Sequence, residues 1–173
     1  ADQIIAKELK ITLKLNTTGA LWVDEGALEQ VLMNLVENAV KYSDARSRVL
    51  IKSTPISSAQ LMLVCGGEPL PDTLTQPNPL SQSCLLLEVS DNGPGIPQEH
   101  HARLFERFYR VEQSRNRHEG GTGLGLAIVK HILELHEQTI TMRSTVGEGS
   151  TFSFCLPKAD KSITLSSKGV PIK

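Results

Sequence analysis

Apolar and polar residues alternate at Ile11, Leu13 and Leu15, the period of a strand with one face turned inward. The pattern then lengthens to that of a helix. At about 100° per residue, Leu28, Val31, Leu32, Leu35, Val36 and Ala39 share one face, while Asn34, Glu37, Asn38 and Lys41 project from the other side. Asp24 stands as the N-cap and Glu25 suits the positive end of the dipole, so the helix is predicted over 24–42. Residues 49–51, 61–64 and 85–89 read as strands. Residues 66–83 carry Pro69, Pro71, Pro77 and Pro79, with Pro55 nearby, and lack periodicity, which predicts a long exposed Pro-rich loop within 52–84. A second helix is expected over 124–136, with Leu126, Val129, Ile132, Leu133 and His136 on one side and Lys130, Glu134 and Glu137 on the other. Residues 139–143 and 150–156 should close as a hairpin around Val146-Gly147-Glu148-Gly149. Strands and helices mix without strict βαβ alternation. The expected fold class is α+β, a two-layer sandwich of a mixed, mostly antiparallel sheet and about three helices. One domain should span 1–158, followed by a Ser- and Lys-rich flexible tail over 159–173.

Composition narrows the field mainly by exclusion. A chain of 173 residues suits a single core. Eighteen basic against nineteen acidic residues, a net charge of −1, leave no electrostatic footprint for nucleic acid or a membrane surface. No apolar run has the length of a membrane span, and the first residues do not read as a signal peptide. The start at Ala1 rather than Met leads us to expect a piece of a longer, cytoplasmic or membrane-anchored protein, itself monomeric and without direct membrane contact. Cys65, Cys84 and Cys155 are odd in number and sit in or beside apolar runs, as reduced core cysteines do. His100 and His101 are adjacent and His131 and His136 five apart, spacings that do not converge on a metal.

The chemistry-bearing positions are two glycine loops, Asp91-Asn92-Gly93-Pro94-Gly95 and Gly121-Thr122-Gly123-Leu124-Gly125, downstream of the helix carrying Asn34 and Asn38. In this order they resemble one family. Asn34-Leu35-Val36-Glu37-Asn38-Ala39-Val40-Lys41-Tyr42, Asp91-Asn92-Gly93-Pro94-Gly95-Ile96-Pro97, Leu104-Phe105-Glu106-Arg107-Phe108-Tyr109-Arg110 and Gly121-Thr122-Gly123-Leu124-Gly125-Leu126 are similar to the N, G1, F and G2 boxes of sensor histidine kinase catalytic domains. Gly147-Glu148-Gly149-Ser150-Thr151-Phe152 matches a further glycine box. These domains belong to a superfamily with gyrase, the large heat-shock chaperone and mismatch-repair ATPases. The resemblance spans 24–157; each box alone is weak, but their combination is specific.

It implies a site for ATP and Mg²⁺ between the layers, under a mobile lid, with transfer of the γ-phosphoryl group to a histidine on a partner dimerisation domain and a response regulator downstream. Asp91, ending an apolar strand, offers the fixed carboxylate acceptor that adenine's amino group requires, and Gly93 and Gly95 let the chain bend around the ring. Asn38 presents an oxygen for Mg²⁺, Asn34 one turn earlier can reach the same ion or a phosphate, Lys41 adds positive charge and Tyr42 can line the rim. Glu37 is the candidate for orienting or deprotonating the acceptor. Gly121, Gly123 and Gly125 lead into a helix whose N–H groups can hold the triphosphate. This is neither a Walker loop nor a dinucleotide fingerprint. Ile96, Thr122, Leu124, Leu126 and Thr151 fall within the matched boxes and are expected near the nucleotide. Residues 111–120, rich in charge, should form the lid, with Arg115, Arg117 and His118 as candidate phosphate contacts or else solvated lid residues. Phe105, Phe108 and Tyr109 lie at helical spacing and read as lid-packing residues.

The acceptor itself is missing. The family's histidine opens a His-Glu/Asp-x-x-x-Pro pattern, and His136-Glu137 runs on without a proline. The chain therefore reads as the ATP-binding half of a kinase, with a nucleotide-sensing module and an ATPase of the same superfamily as alternatives. Gln138, where relatives generally carry glycine, is expected to alter a turn.

Overall fold

The computed structural model describes residues 2–16, 21, 23–57, 84–111 and 122–158. Helix α1 (Asp2–Ala6) precedes strand β1 (Lys10–Leu15), followed by helix α2 (Glu25–Tyr42) and strands β2 (Arg48–Ile56) and β3 (Cys84–Asp91). Short helix α3 (Gln98–His101), helix α4 (Gly125–Leu135) and strands β4 (Ile140–Thr145) and β5 (Gly149–Pro157) complete the order. The five strands form one sheet in the order β1-β2-β3-β5-β4. Only β1 and β2 are parallel; the other pairings are antiparallel. This is the mixed, mostly antiparallel α+β sandwich expected from the chain.

Alternation within the strands decides what the helices cover. Val49, Leu85, Leu87, Val89, Phe152, Phe154 and Leu156 form the sheet side of the main core, against Val31, Leu35 and Ala39 of α2 and Val129 and Leu133 of α4. Asp24 caps α2 as predicted: its Oδ1 accepts the Ala27 N–H at 2.8 Å, a contact of about 1 kcal/mol. Phe105 meets Phe152 edge-on at 6.4 Å between ring centres, which anchors the following segment to the core.

Several local expectations change. Helix α1 has no counterpart among the predicted elements. Strand β2 continues five residues past Ile51, through Pro55 to Ile56, and β3 starts at Cys84, one residue ahead of the expected strand. Pro55 is tolerated because β1 pairs β2 only as far as Ser53, leaving the proline's missing N–H on an open side. The strand expected over 61–64, Cys65, and Pro69, Pro71, Pro77 and Pro79 lie outside the described residues, as does the tail over 159–173. Residues 102–108 are turns rather than a helix, and Phe108 is 71% exposed with φ of 65°. After α4 it is Glu137, not Gln138, that takes the left-handed conformation (φ 57°) glycine would favour. Gln138 is buried instead, and its N–H closes on Leu133 O at 2.8 Å.

Candidate nucleotide-binding site

Asp91 ends β3 on the side of the sheet that the helices cover, two residues beyond core Val89. Its Oδ1 accepts the Gly93 N–H at 2.9 Å, and the Ser150 backbone also donates to the carboxyl group. Burial pushes the Asp91 carboxyl above its ordinary range, and these two backbone bonds partly oppose the shift. Gly93 is buried because the end of α2 closes over it. A Cβ there would lie 3.3 Å from Tyr42 O and 2.9 Å from the Asp91 carboxylate oxygen.

The rest of this first loop is pinned. Asn92 Oδ1 accepts the Arg48 N–H at 2.6 Å, Ser144 Oγ accepts the Ile96 N–H at 2.8 Å, and Pro94 O accepts the Gly147 N–H at 2.8 Å. Gly95 has φ of 71°, and a Cβ there would overlap the Thr145 carbonyl. Ile96 is half-buried against the main core, and its carbonyl oxygen is 2.8 Å from His101 Nε2. On its outer side Ile96 borders a groove of about 590 Å³ shared with Gln98, His101 and the β4 residues 142–145. Asp91, Asn34 and Asn38 do not line it, so it is separate from them.

The second part of the site is the gap between α2 and α4. Asn34 and Asn38 are half-buried there rather than projecting into solvent opposite the core, because the packing of α2 on α4 turns them towards the first residue of α4. A Cβ on Gly125 would sit 3.6 Å from both Asn34 Oδ1 and Asn38 Nδ2, and 3.9 Å from Asn38 Oδ1. The glycine keeps that space empty. Asn34 Nδ2 is buried and, among the described residues, has no hydrogen-bond partner, a cost that a phosphate oxygen would remove. Each amide carries both an oxygen that could meet a metal ion and N–H groups that could meet a phosphate. Leu124 gives α4 no side-chain cap, so the N–H groups of Gly125 and Leu126 face the same gap.

Lys41 lies on this face of α2 with its Nζ 4.9 Å from the centre of the Tyr42 ring, and Glu37 is exposed. Gly123 has φ of 71°, and its carbonyl accepts the Phe108 N–H at 2.9 Å, tying the second loop to the Phe105–Tyr109 turn. Tyr109 is held in turn by His100 at 2.7 Å and by Arg103 over its ring at 4.4 Å. Thr122 is exposed. Arg115, Arg117, His118 and Gly121 lie outside the described residues.

One expected residue lies on the other face of the sheet from Asp91. Thr151 is in register with Ser90, to whose Oγ it donates at 2.9 Å, and both point away from the helices. The register partner of Asp91 is Ser150, 6% exposed, whose Oγ is 3.0 Å from Ser144 Oγ. Counting back by two from core Phe152 finds Ser150 in the sequence, since strand side chains alternate.

A sheet ending in a half-buried carboxylate, two amides facing a helix N-terminus and two glycine loops between them define an ATPase-type two-layer domain. A model of the histidine kinase-, DNA gyrase B- and HSP90-like ATPase family matches residues 23–160, and the chain belongs to that family. It is 33% identical over 152 residues to the circadian input-output histidine kinase CikA of Synechococcus elongatus, covering 87% of this chain and 17% of that protein. It is 35% identical over 151 residues to the sensor-like histidine kinase SenX3 of Mycolicibacterium smegmatis, covering 87% of this chain and 33% of that one. The chain thus spans a third or less of these relatives' length. In fold it resembles full-length ShkA in complex with AMPPNP (TM-score 0.67, 24% identity, 91% of this chain and 28% of that one). It also resembles the mycobacterial sensor histidine kinase MprB (TM-score 0.65, 22% identity, 91% and 89% covered). The chain is the histidine-kinase type of ATPase domain.

Proposed function

We propose that this domain binds Mg-ATP between α2 and α4 and delivers the γ-phosphoryl group to a histidine on the dimerisation domain of its parent sensor kinase. The observation that carries the reading is the pair of amides, Asn34 and Asn38, converging on the side-chain-free start of α4, with one buried donor left unpaired. Asp91 accepts the adenine amino group, and Gly93 and Gly95 let the backbone follow the ring. Asn34, Lys41 and the α4 N–H groups hold phosphate oxygens, and Asn38 gives its oxygen to the metal. Mg²⁺, when bound, supplies positive charge to the phosphates. Positioning then does most of the work: a ring nitrogen of the incoming histidine attacks the γ-phosphorus, the bond to the β,γ-bridging oxygen breaks, and ADP leaves with that electron pair. Glu37, exposed on α2, is our candidate for orienting the incoming imidazole or accepting the proton it sheds.

Three of the five histidines support an acceptor elsewhere, while His131 is exposed on α4 and His118 lies outside the described residues. His100, His101 and His136 are each engaged, with Tyr109 Oη, Ile96 O and Ile132 O respectively. The domain is expected to act in the cytoplasm, with a response regulator taking the phosphoryl group onward. The test mixes the chain with Mg-ATP and the separately made acceptor domain of its parent, and follows acid-labile, base-stable label on the acceptor. Tight ATP binding without label on either protein would make it a sensing module instead. Steady phosphate release from the lone chain would make it an ATPase.

A further inference from the structure

We infer that Lys7 is a positioning residue for the base end of the site, linking the segment ahead of β1 to nucleotide affinity. The inference rests on the reading of Asp91 as the base-binding carboxylate. A helix ends with carbonyls that have no intrahelical partner and with the negative end of its dipole. In α2 the Ser43 N–H closes on Ala39 O at 3.1 Å. Lys7 occupies the carbonyls beyond Ala39: its Nζ donates to Val40 O at 3.2 Å, Lys41 O at 2.8 Å and Ser43 O at 3.0 Å. An ammonium has three N–H groups, and all three are used.

Lys7 reaches this helix end from 33 to 36 residues away in the chain and is fastened on its own side. Its N–H bonds Gln3 O of α1 at 3.0 Å, and its carbonyl accepts the Arg46 N–H at 2.7 Å. The neighbouring Lys10 N–H bonds Ser47 O at 3.0 Å. Glu8 and Arg46 hold φ of 52° and 63° at this junction, conformations costly for residues with a side chain. The exposed ion pair between them, at 3.2 Å, contributes little. The three-carbonyl clamp thus ties the residue following α1 to the C-terminal end of α2.

The clamped turn is a wall of the base site. A Cβ on Gly93 would lie 3.3 Å from Tyr42 O and 3.4 Å from Ser43 Cα, so the turn held by Lys7 packs directly on Gly93. Gly93 in turn donates to the Asp91 carboxylate at 2.9 Å. Without the ammonium, three carbonyls lose their donor, the Tyr42–Ser43 turn relaxes, and the Gly93–Asp91 geometry relaxes with it. The amide pair at Asn34 and Asn38 lies one to two turns further up α2 and should be moved less.

The test compares the full chain with Lys7→Met, which keeps the volume and removes the donors, Lys7→Gln, which keeps two, and Lys7→Arg, which restores a cation. Affinity is measured for ADP and for Mg-tripolyphosphate, which has no base, at a temperature well below each melting midpoint. Lys7→Met should weaken ADP about tenfold and leave tripolyphosphate within about twofold, with Lys7→Arg regaining most of the loss. If Lys7→Met does not fold, Lys7→Gln should show the same selective loss to a smaller degree. ADP affinity equal to that of the unsubstituted chain, even with a lower melting point, would reduce Lys7 to a stabilising cap and overturn the proposal. So would equal losses for both ligands. An unsubstituted chain that binds no ADP would instead sink the nucleotide reading, and this one with it.

Discussion

The two glycine loops are built on opposite terms. The first, at the end of β3, is satisfied throughout: Asp91, Asn92, Pro94 and Ile96 each have partners in neighbouring strands or turns, and Gly95 is pressed against Thr145. The second has, among the described residues, one backbone tie outside its own helix, from Phe108 to Gly123, and it opens onto an uncapped helix and an amide with a buried unpaired N–H. A loop that recognises a flat base through one carboxylate gains from rigidity, since a misplaced acceptor loses its partner. Groups that close on a flexible, charged triphosphate gain from being left open until it arrives. The difference between the loops therefore matches a division of labour, base against phosphate.

The largest expected effect comes from breaking the rigid side. Gly95→Ala places a Cβ into the Thr145 carbonyl at a φ unfavourable for alanine, and should cost about 3 kcal/mol of stability in denaturant titrations. Gly147→Ala, also at positive φ but with open space around it, should cost clearly less. Equal losses at the two positions would mean that the first loop is not the tightly packed partner of the hairpin.

Next comes Asp91→Asn. The amide can still accept the Gly93 N–H but cannot offer a carboxylate to an amino group, so ADP should bind about a hundredfold more weakly in calorimetry. The sign of the accompanying stability change is a sharper check. Burial raises the folded carboxyl above its unfolded value, so the folded state retains the proton more readily. The resulting destabilisation is absent below the unfolded value, sets in as pH rises through the interval between the two, and is complete above the raised one. Asp91→Asn should therefore melt higher than the unsubstituted chain at neutral pH and alike in acid, and ADP affinity of the unsubstituted chain should fall as pH drops through the raised value. A lower melting point at neutral pH would show that Asp91 serves the fold rather than the site.

Much of this is legible in the chain, and the misses have local causes. The cap at Asp24, the amphipathic face of α2 and the order of the boxes are short-range signals, and short-range periodicity carries them. Pro55 reads as a breaker because the sequence does not say that β1 stops pairing at Ser53. Phe105, Phe108 and Tyr109 have helical spacing, yet Phe108 turns to positive φ to reach Gly123 O, a partner fifteen residues on. Lys7 is invisible in the sequence for the same reason: its three acceptors lie more than thirty residues away. Asn34 can be read as a site residue, but not that its N–H is buried and unpaired, since this depends on how α4 packs on α2.

On the open side, Asn34→Ala removes that unpaired donor and installs a better helix former. ATP affinity should fall about tenfold while stability rises by about 0.5 kcal/mol. A loss of stability would mean that the amide has a structural partner when no ligand is bound, and would erase the contrast with the first loop.

The smallest effect separates two neighbours on one strand. Thr151 lies within the matched glycine box but faces Ser90 on the far side of the sheet, whereas Ser150 is beside Asp91. Thr151→Val should leave ADP affinity within about twofold, as a change remote from the ligand does. Ser150→Ala should weaken ADP severalfold, by about 1 kcal/mol, because it removes a hydroxyl from the network of Ser144 that also holds the Ile96 N–H. Both variants keep the backbone bond from residue 150 to the Asp91 carboxyl, so neither tests that bond. The reverse ranking, with Thr151→Val the more damaging, would require the base to lie on the face of the sheet turned from the helices, away from Asn34 and Asn38, and the two loops could no longer serve one nucleotide.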